Sequence, residues 1–106
     1  DKQLIKQMFN NLLVNSIWAV EEINNSKITV KVTKRKNDTL IVFEDNGKGI
    51  PNDKKYQIFI PFYTSKQEGS GIGLSLVQQI IWKHNGRIFV ESEQGKFTRF
   101  IITLNN

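Results

Sequence analysis

The sequence Gly69-Ser-Gly-Ile-Gly-Leu74 runs directly into Ser75–His84, a segment whose apolar residues recur at helical spacing. Three alternating glycines let the backbone approach a ligand closely, and they place unpaired amide groups at the positive end of a helix dipole. Such a helix start binds anions, most often phosphate. A glycine-rich hinge or hairpin loop is the alternative, so the rest of the chain has to decide between them.

Two other phosphate-binding glycine motifs do not fit this stretch. The dinucleotide fingerprint G-x-G-x-x-G needs a glycine at position 74 when counted from Gly69, or at position 76 when counted from Gly71, and both positions hold leucine. The phosphate loop G-x-x-x-x-G-K-S/T occurs nowhere in the chain. The anion site predicted here is therefore of another class.

The composition is that of one globular domain of 106 residues, with 39% hydrophobic and 24% charged residues. No apolar run approaches the length of a membrane span, and the first residues do not resemble a signal peptide. The chain has no cysteine and one histidine, which argues against disulfides and a classical zinc site. A cytoplasmic setting fits this composition, while membrane attachment of the parent protein is left open.

The charge is positive, with 15 lysines and arginines against 10 acidic residues and a net charge of +5. This balance favours acidic partners such as nucleotides, nucleic acid or an acidic protein face. The sequence offers no recognition helix, metal finger or basic patch interleaved with aromatic residues. Specific binding to nucleic acid is therefore not expected.

Periodicity predicts the order helix, hairpin, loop, helix, hairpin. The first helix spans Lys2 to about Glu22, and alternation predicts strands over 27–36, 39–43, 87–93 and 96–104. The fold class that follows is α/β (α+β), a two-layer sandwich with helices on one face of a largely antiparallel sheet. The expected core positions are Ile5, Met8, Leu12, Ile17, Val20, Ile28, Val30, Val32, Leu74, Val77, Ile81, Ile88, Val90, Phe100 and Ile102.

The first helix has a polar stripe along one side. Its members recur at helical spacing, and they are Gln7, Asn11, Asn15, Trp18 and Glu22. Asparagine is a poor helix former, and a solvated helix face more often carries Glu, Lys or Gln. We therefore expect this stripe to face something polar.

A carboxylate and a long loop follow the second strand. Asp45 stands at the strand end, the next residues are punctuated by glycine, and residues 50–68 show no sustained period. Four residues of this loop are placed to pin part of it to the core, and they are Ile58, Phe59, Phe62 and Tyr63. One ligand should account for all four features: the asparagine stripe, the carboxylate, the loop and the anion-binding helix start. Such a ligand has anions at one end and a hydrogen-bonding base at the other. That description fits a nucleotide.

These motifs together resemble the catalytic, ATP-binding domain of sensor histidine kinases. This family belongs to the GHKL group, which also includes type II topoisomerases, mismatch-repair proteins and heat-shock chaperone ATPases. Residues 11–19 match its asparagine box, 45–50 its first glycine box, 58–66 its phenylalanine box and 69–74 its second glycine box. The resemblance implies a Bergerat-type ATP-binding fold with a mostly antiparallel mixed sheet.

The resemblance also implies which residues bind ATP and Mg²⁺. Asn15 would hold Mg²⁺ through its amide oxygen, the type of ligand this cation prefers, and Asn11 would lie behind it or contact phosphate. These two asparagines are the residues implied to be catalytic, and Asp45 would accept a hydrogen bond from the adenine amino group. Residues 50–68 would form the ATP lid. The other residues implied in ATP binding are Gly47, Gly49, Ile50, Phe59, Thr64, Lys66, Gly69, Ser70, Gly71, Ile72, Gly73 and Leu74.

The asparagine box differs from that of the hydrolytic relatives at one position and from the commonest pattern of the kinases at two. Asn11 stands where hydrolytic relatives carry a catalytic glutamate, which favours phosphoryl transfer to an external acceptor over activation of water. Ser16 stands where alanine is commonest, a mild change. Trp18 replaces a residue that is often basic, so one phosphate-side charge is expected to be missing.

The resemblance further implies partners for this chain. A helical domain of the parent protein would supply the acceptor histidine and the dimer interface, and a response regulator would act downstream. The parent is expected to be a homodimer, this fragment a monomer, and His84 a packing or capping residue. A degenerate interaction domain, an anti-sigma-factor serine kinase and a chaperone-type ATPase are the alternatives. Asn15, Asp45 and the glycines argue against the first, and the phenylalanine box and the missing glutamate against the others.

Overall fold

Two helices lie on one face of a four-stranded sheet in the computed structural model, which describes residues 2–55, 57–59 and 73–105. The main elements are α1 Lys2–Val20, β1 Ile28–Lys34, β2 Asp38–Asp45, α2 Gly73–Lys83, β3 Arg87–Glu93 and β4 Phe97–Asn105. Two 3-10 turns, Asn52–Lys54 and Gln57–Phe59, follow β2. This sequence of elements confirms the predicted order of helix, hairpin, loop, helix and hairpin. Neither helix in this part of the chain is long and apolar enough to cross a membrane.

The sheet has the strand order β1-β2-β4-β3, and each neighbouring pair is antiparallel. Two hairpins, β1–β2 and β3–β4, are joined through the central pairing of β2 with β4. The predicted fold class is confirmed, and the four described strands include no parallel pair. In this register Asp45, the last residue of β2, lies opposite Thr98 of β4.

The core lies between the helices and the face of the sheet that they cover. Alternate residues of β2 and β4 point into it, as the two-residue period of a strand requires. The rings of Phe9 and Phe43 join α1 to β2, with centroids 5.2 Å apart. The buried members of the core are Met8, Leu12, Ile41, Phe43, Ile58, Val77, Ile80, Ile81, Phe100 and Ile102.

Three predicted core residues are exposed. Ile17 is 53% exposed, because it lies five residues beyond Leu12, about 140° around the helix, and so points away from the sheet. Val30 and Val32 are 41% and 53% exposed. They pair with core residues of β2 and share their side of the sheet, but α1 packs over β2 and leaves β1 uncovered.

The segment after β2 is tied to the core by its second 3-10 turn. Ile58 is buried among the core residues, and the ring of Phe59 meets that of Phe100 edge-on, with centroids 6.5 Å apart. The expectation that these two residues pin the loop is confirmed. The rest of the predicted lid, residues 60–68, lies outside the described residues.

Helix α2 ends at Lys83 and is followed by a left-handed turn. Asn85 takes the left-handed conformation, with φ of 53°, and the amide of Gly86 donates to the carbonyl of Ile81 at 2.9 Å. Nδ1 of His84 lies 2.8 Å from the carbonyl oxygen of Ile80. His84 is thus a capping residue of this helix end.

Candidate nucleotide site

Asp45 is a buried carboxylate at the end of β2, only 2% exposed. The strand alternation that buries Ile41 and Phe43 directs Asp45 to the same side. Its Oδ1 accepts a hydrogen bond from the amide of Gly47 at 2.9 Å. Burial raises the pKa of the Asp45 carboxyl above its ordinary value, and the Gly47 amide and the Ser16 hydroxyl offset part of that rise. A buried carboxylate with a shifted pKa is a candidate for ligand binding.

The loop that follows Asp45 is held between α1 and the β3–β4 turn. The amide of Lys48 donates to the carbonyl of Ala19 at 3.1 Å. A Cβ on Gly47 would overlap that same carbonyl, and a Cβ on Gly49, whose φ is 71°, would overlap the carbonyl of Glu93. The resemblance implies that these glycines let the backbone pass close to the base. The structure shows in addition that neither position has room for a side chain.

Ile50 is fixed to the β3–β4 hairpin by a serine that sequence reasoning did not single out. Its amide donates to Oγ of Ser92 at 2.8 Å, and Ser92 Oγ in turn lies 2.7 Å from the carbonyl oxygen of Phe97 and 3.2 Å from Oγ1 of Thr98. Ser92 is buried. The only signal in the sequence was a serine at a core-facing position of a strand.

The two asparagines of α1 lie on the side of that helix nearest α2. Both are partly buried, and Nδ2 of Asn11 lies 3.5 Å from the carbonyl oxygen of Gly73, the first residue of α2. Asn11 therefore meets the end of α2 at which its amide groups are unpaired. The outer members of the predicted stripe, Gln7 and Glu22, are exposed to solvent instead.

The start of α2 suits an anion. Among the described residues, no atom beyond the helix's own neighbouring backbone lies within 4 Å of where a Cβ on Gly73 would stand. Helix α2 has 11 residues, and its positive dipole end is at this point. Leu74 packs against the core and anchors the turn. The remaining predicted residues of this region, Thr64, Lys66, Gly69, Ser70, Gly71 and Ile72, lie outside the described residues.

Ser16 is a further residue of this region, beside Asp45. It is 1% exposed, and its hydroxyl is the buried side-chain group that has no hydrogen-bond partner within the described ranges. The hydroxyl is near enough to Asp45 to favour the charged carboxylate, although the two groups do not meet in a standard hydrogen bond. From the sequence alone, Ser16 is only a mild departure from the family pattern.

The described side chains do not build a metal cage. Residues 2–55, 57–59 and 73–105 contain no group of three or more His, Cys, Asp or Glu side chains able to hold an ion. A cation at this site would therefore take few protein ligands and complete its shell from another source. Mg²⁺ is held in this way when it is bound with nucleotide phosphates and water.

Comparison of the sequence with known proteins identifies one family. Residues 1–106 match the model of the histidine kinase-, DNA gyrase B-, and HSP90-like ATPase family. Sporulation kinase E of Bacillus subtilis is 42% identical over 94% of this chain, and sensor histidine kinase ZraS of Salmonella typhi is 39% identical over 98%. The chain spans only 13% and 22% of the length of these two relatives.

Solved structures of similar fold point the same way. The catalytic domain of histidine kinase ThkA, in a nucleotide-free form, superposes with a TM-score of 0.85 at 33% identity and covers 99% of this chain and 68% of that one. The mycobacterial sensor histidine kinase MprB gives a TM-score of 0.87 at 25% identity, with coverage of 99% and 74%.

Proposed function

This chain belongs to the histidine kinase-, DNA gyrase B-, and HSP90-like ATPase family, and we propose that it is the ATP-binding catalytic domain of a sensor histidine kinase. In this role it binds Mg-ATP and donates the γ-phosphoryl group to a histidine on a separate helical domain of the parent protein. The parent then acts as a homodimer and passes the phosphoryl group to a response regulator. The setting is cytoplasmic, and this piece alone is monomeric.

The observation that carries the proposal is the arrangement along one side of α1. At its C-terminal end, near Ser16, lies the buried carboxylate of Asp45. Toward its middle, Asn11 meets the open start of α2 at Gly73. A carboxylate at one end suits the amino group of adenine, and helix amides at the other end suit phosphates.

Transfer to a protein acceptor is favoured over hydrolysis by the chemistry of Asn11. Activation of water requires a group that takes its proton, and an amide cannot serve as that base. Phosphoryl transfer to a positioned acceptor depends chiefly on geometry and on stabilisation of the phosphate charge. A site with asparagines in place of a glutamate can position the phosphates and stabilise their charge, but it has no base that could take a proton from water.

The position of His84 supports an acceptor histidine outside this chain. His84 is the chain's one histidine, and its Nδ1 lies against the carbonyl of Ile80 at the far end of α2. Eleven residues separate it from Gly73, about 16 Å along the helix. In-line transfer needs near-contact between donor and acceptor, so His84 is too remote.

Asn15 is the residue proposed to hold Mg²⁺. Its amide oxygen is a hard ligand, it is partly accessible on α1, and the described residues offer the cation no competing cage. When bound, Mg²⁺ would neutralise charge on the phosphates. Asn15 would orient the metal, while Asn11 and the α2 amides would position the phosphates. Residues 50–68 are proposed as the lid over this site, with Thr64 and Lys66 among its contacts.

The direct test combines this domain with labelled ATP and Mg²⁺. We expect binding of ATP but no labelling of the domain alone, and acid-labile, alkali-stable label on a helical domain with an acceptor histidine when that domain is added. A His84→Gln variant should phosphorylate the added domain as well as the unsubstituted domain does. Label on the isolated domain that is lost in His84→Gln would contradict the proposal, as would steady release of phosphate without any acceptor.

A further inference from the structure

The turn between β3 and β4 touches the loop after β2 along its main chain. The amide of Gly95 donates to the carbonyl of Lys48 at 2.6 Å. One residue further along the loop, a Cβ on Gly49 would overlap the carbonyl of Glu93. The loop and the turn are therefore in direct backbone contact, with no room for a side chain between them.

Ser92 supplies the next contact, and its hydroxyl uses its full hydrogen-bonding capacity. It is buried, and it donates its one proton to the carbonyl of Phe97 at 2.7 Å. Its oxygen is then the acceptor for the amide of Ile50 at 2.8 Å and for the hydroxyl of Thr98 at 3.2 Å. Because the Phe97 carbonyl fixes the hydroxyl proton, the acceptor that meets the Ile50 amide has a direction set by the hairpin.

The hairpin is what fixes the loop at its far end. On the side of α1, the amide of Lys48 donates to the carbonyl of Ala19, but this bond lies two residues before Ile50. Pro51 follows Ile50 and has no amide hydrogen. The Ile50 amide is therefore the last main-chain donor of the loop, and the hairpin accepts its hydrogen bond.

We propose that Ser92 is a positioning residue for nucleotide binding, which holds residues 48–50 in the conformation that accepts ATP without touching the nucleotide. This inference rests on the proposed binding of ATP. Gly49 and Ile50 are among the residues implied to bind ATP, and Ser92 fixes the second of them directly. Gly95 acts with Ser92, because its bond to Lys48 fixes the start of the same three residues.

Ser92 acts by raising the fraction of molecules whose loop is ready to bind. When only a fraction of a protein is in the binding-competent conformation, its apparent affinity falls by that fraction. The loss of one neutral hydrogen bond changes such a population by roughly 3- to 10-fold. The bond is made before and during phosphoryl transfer alike, so its loss should weaken ATP binding and leave the rate at saturating ATP unchanged.

The test measures ATP binding and phosphoryl transfer in Ser92→Ala. Calorimetric titration should show an ATP affinity weakened by roughly 3- to 10-fold. The rate of transfer to an added helical domain with an acceptor histidine, at saturating ATP, should stay within about twofold of that of the unsubstituted domain. Ser92→Thr keeps the hydroxyl and suits a strand, and it should restore most of the affinity.

Ile88→Val is the matched control for stability. Ile88 lies on the same strand and packs against the core, so the loss of a methylene group lowers stability without removing a bond to the loop. This variant should bind ATP as the unsubstituted domain does. In the nucleotide-free domain, hydrogen exchange at the Gly95 amide should accelerate in Ser92→Ala and not in Ile88→Val, because release of Ile50 also loosens the bond to Lys48.

Three results would overturn the inference. They are an ATP affinity that is unchanged in Ser92→Ala, an equal loss of affinity in Ile88→Val, and a slower transfer at saturating ATP with the affinity retained. Failure of the unsubstituted domain to bind ATP is a separate result, which would overturn the proposed function and the inference with it.

Discussion

Gly47 lies so close to α1 that a Cβ on it would overlap the carbonyl oxygen of Ala19 and stand 2.9 Å from the Cβ of that residue. Gly47→Ala should therefore force the loop after β2 away from the helix. Overpacking of a buried contact costs about 1–3 kcal/mol, and we expect a loss of that size in the free energy of unfolding, measured by urea denaturation.

Gly73 provides the matched control. A Cβ there meets nothing within 4 Å in the part of the chain that the structure describes, and alanine is the better residue for a helix. Gly73→Ala should therefore leave the free energy of unfolding unchanged or slightly higher. If both variants were equally stable, the contact between Gly47 and Ala19 would not be tight in solution.

Asp45→Asn should weaken ATP binding while the fold stays intact. The carboxylate is expected to accept from the adenine amino group, and a hydrogen bond to a charged acceptor contributes roughly 1.5–3 kcal/mol, about 10- to 150-fold in affinity. Calorimetric titration gives the readout, with Asp38→Asn, the same change at the opposite end of β2, as the matched control. ATP affinity within about twofold of the parent would contradict the assignment.

The same variant should change how stability depends on pH. Burial raises the pKa of Asp45 above its ordinary value of 3.8, so between these two values the folded state binds more protons than the unfolded state. The free energy of unfolding contributed by this group therefore falls as the pH rises through that interval, and stays lower above it. Asparagine carries no charge to bury.

We accordingly expect Asp45→Asn to be more stable than the unsubstituted domain at pH 7, with a stability difference that shrinks as the pH falls through the interval above 3.8 in which Asp45 takes up its proton, and that is constant at lower pH. Urea denaturation of both proteins between pH 3.5 and 8 measures the difference and cancels the other titrating groups. A difference in the free energy of unfolding that does not vary with pH would show that burial does not destabilise the charged form of Asp45.

Asn15→Ala should abolish the enhancement of nucleotide binding by Mg²⁺. The variant loses the proposed oxygen ligand, while alanine favours the helix, so the melting temperature should not fall. Titrations with and without Mg²⁺ provide the measurement. Asn10→Ala, at an exposed asparagine of the same helix, should retain the full enhancement, and a response to Mg²⁺ that survives in Asn15→Ala would show that another group holds the metal.

Ser92→Ala should loosen the start of the segment after β2. The change leaves the Ile50 amide and the Phe97 carbonyl without their partner at 2.8 and 2.7 Å, at a cost of about 1–3 kcal/mol. Hydrogen exchange at the Ile50 amide should accelerate, whereas exchange at core amides of β2 should follow global stability alone. Unchanged protection of Ile50 would show that this bond does not fix the segment.

Periodicity alone was enough to predict the helices and strands, because the spacing of apolar residues differs between a helix and a strand that each bury one face. It failed for Ile17, Val30 and Val32, because the burial of these residues depends on how α1 is placed on the sheet. Periodicity does not indicate which residues of α1 face the sheet or which strands the helix covers. Asp45 could be predicted from its place before a glycine-rich turn. Ser16 and Ser92 could not, because a buried hydroxyl looks like any serine until its neighbours from distant segments are known.

The uncovered strand β1 has a consequence for solubility. Its helix-side valines are exposed, and among the four described strands it has a partner on one side only. An open edge of this kind can pair with the same edge of another molecule and extend the sheet from one copy to the next. Lys31 and Lys34 lie on that strand, and their like charges oppose such pairing. We therefore expect that neutralising those lysines would favour assembly of copies through β1.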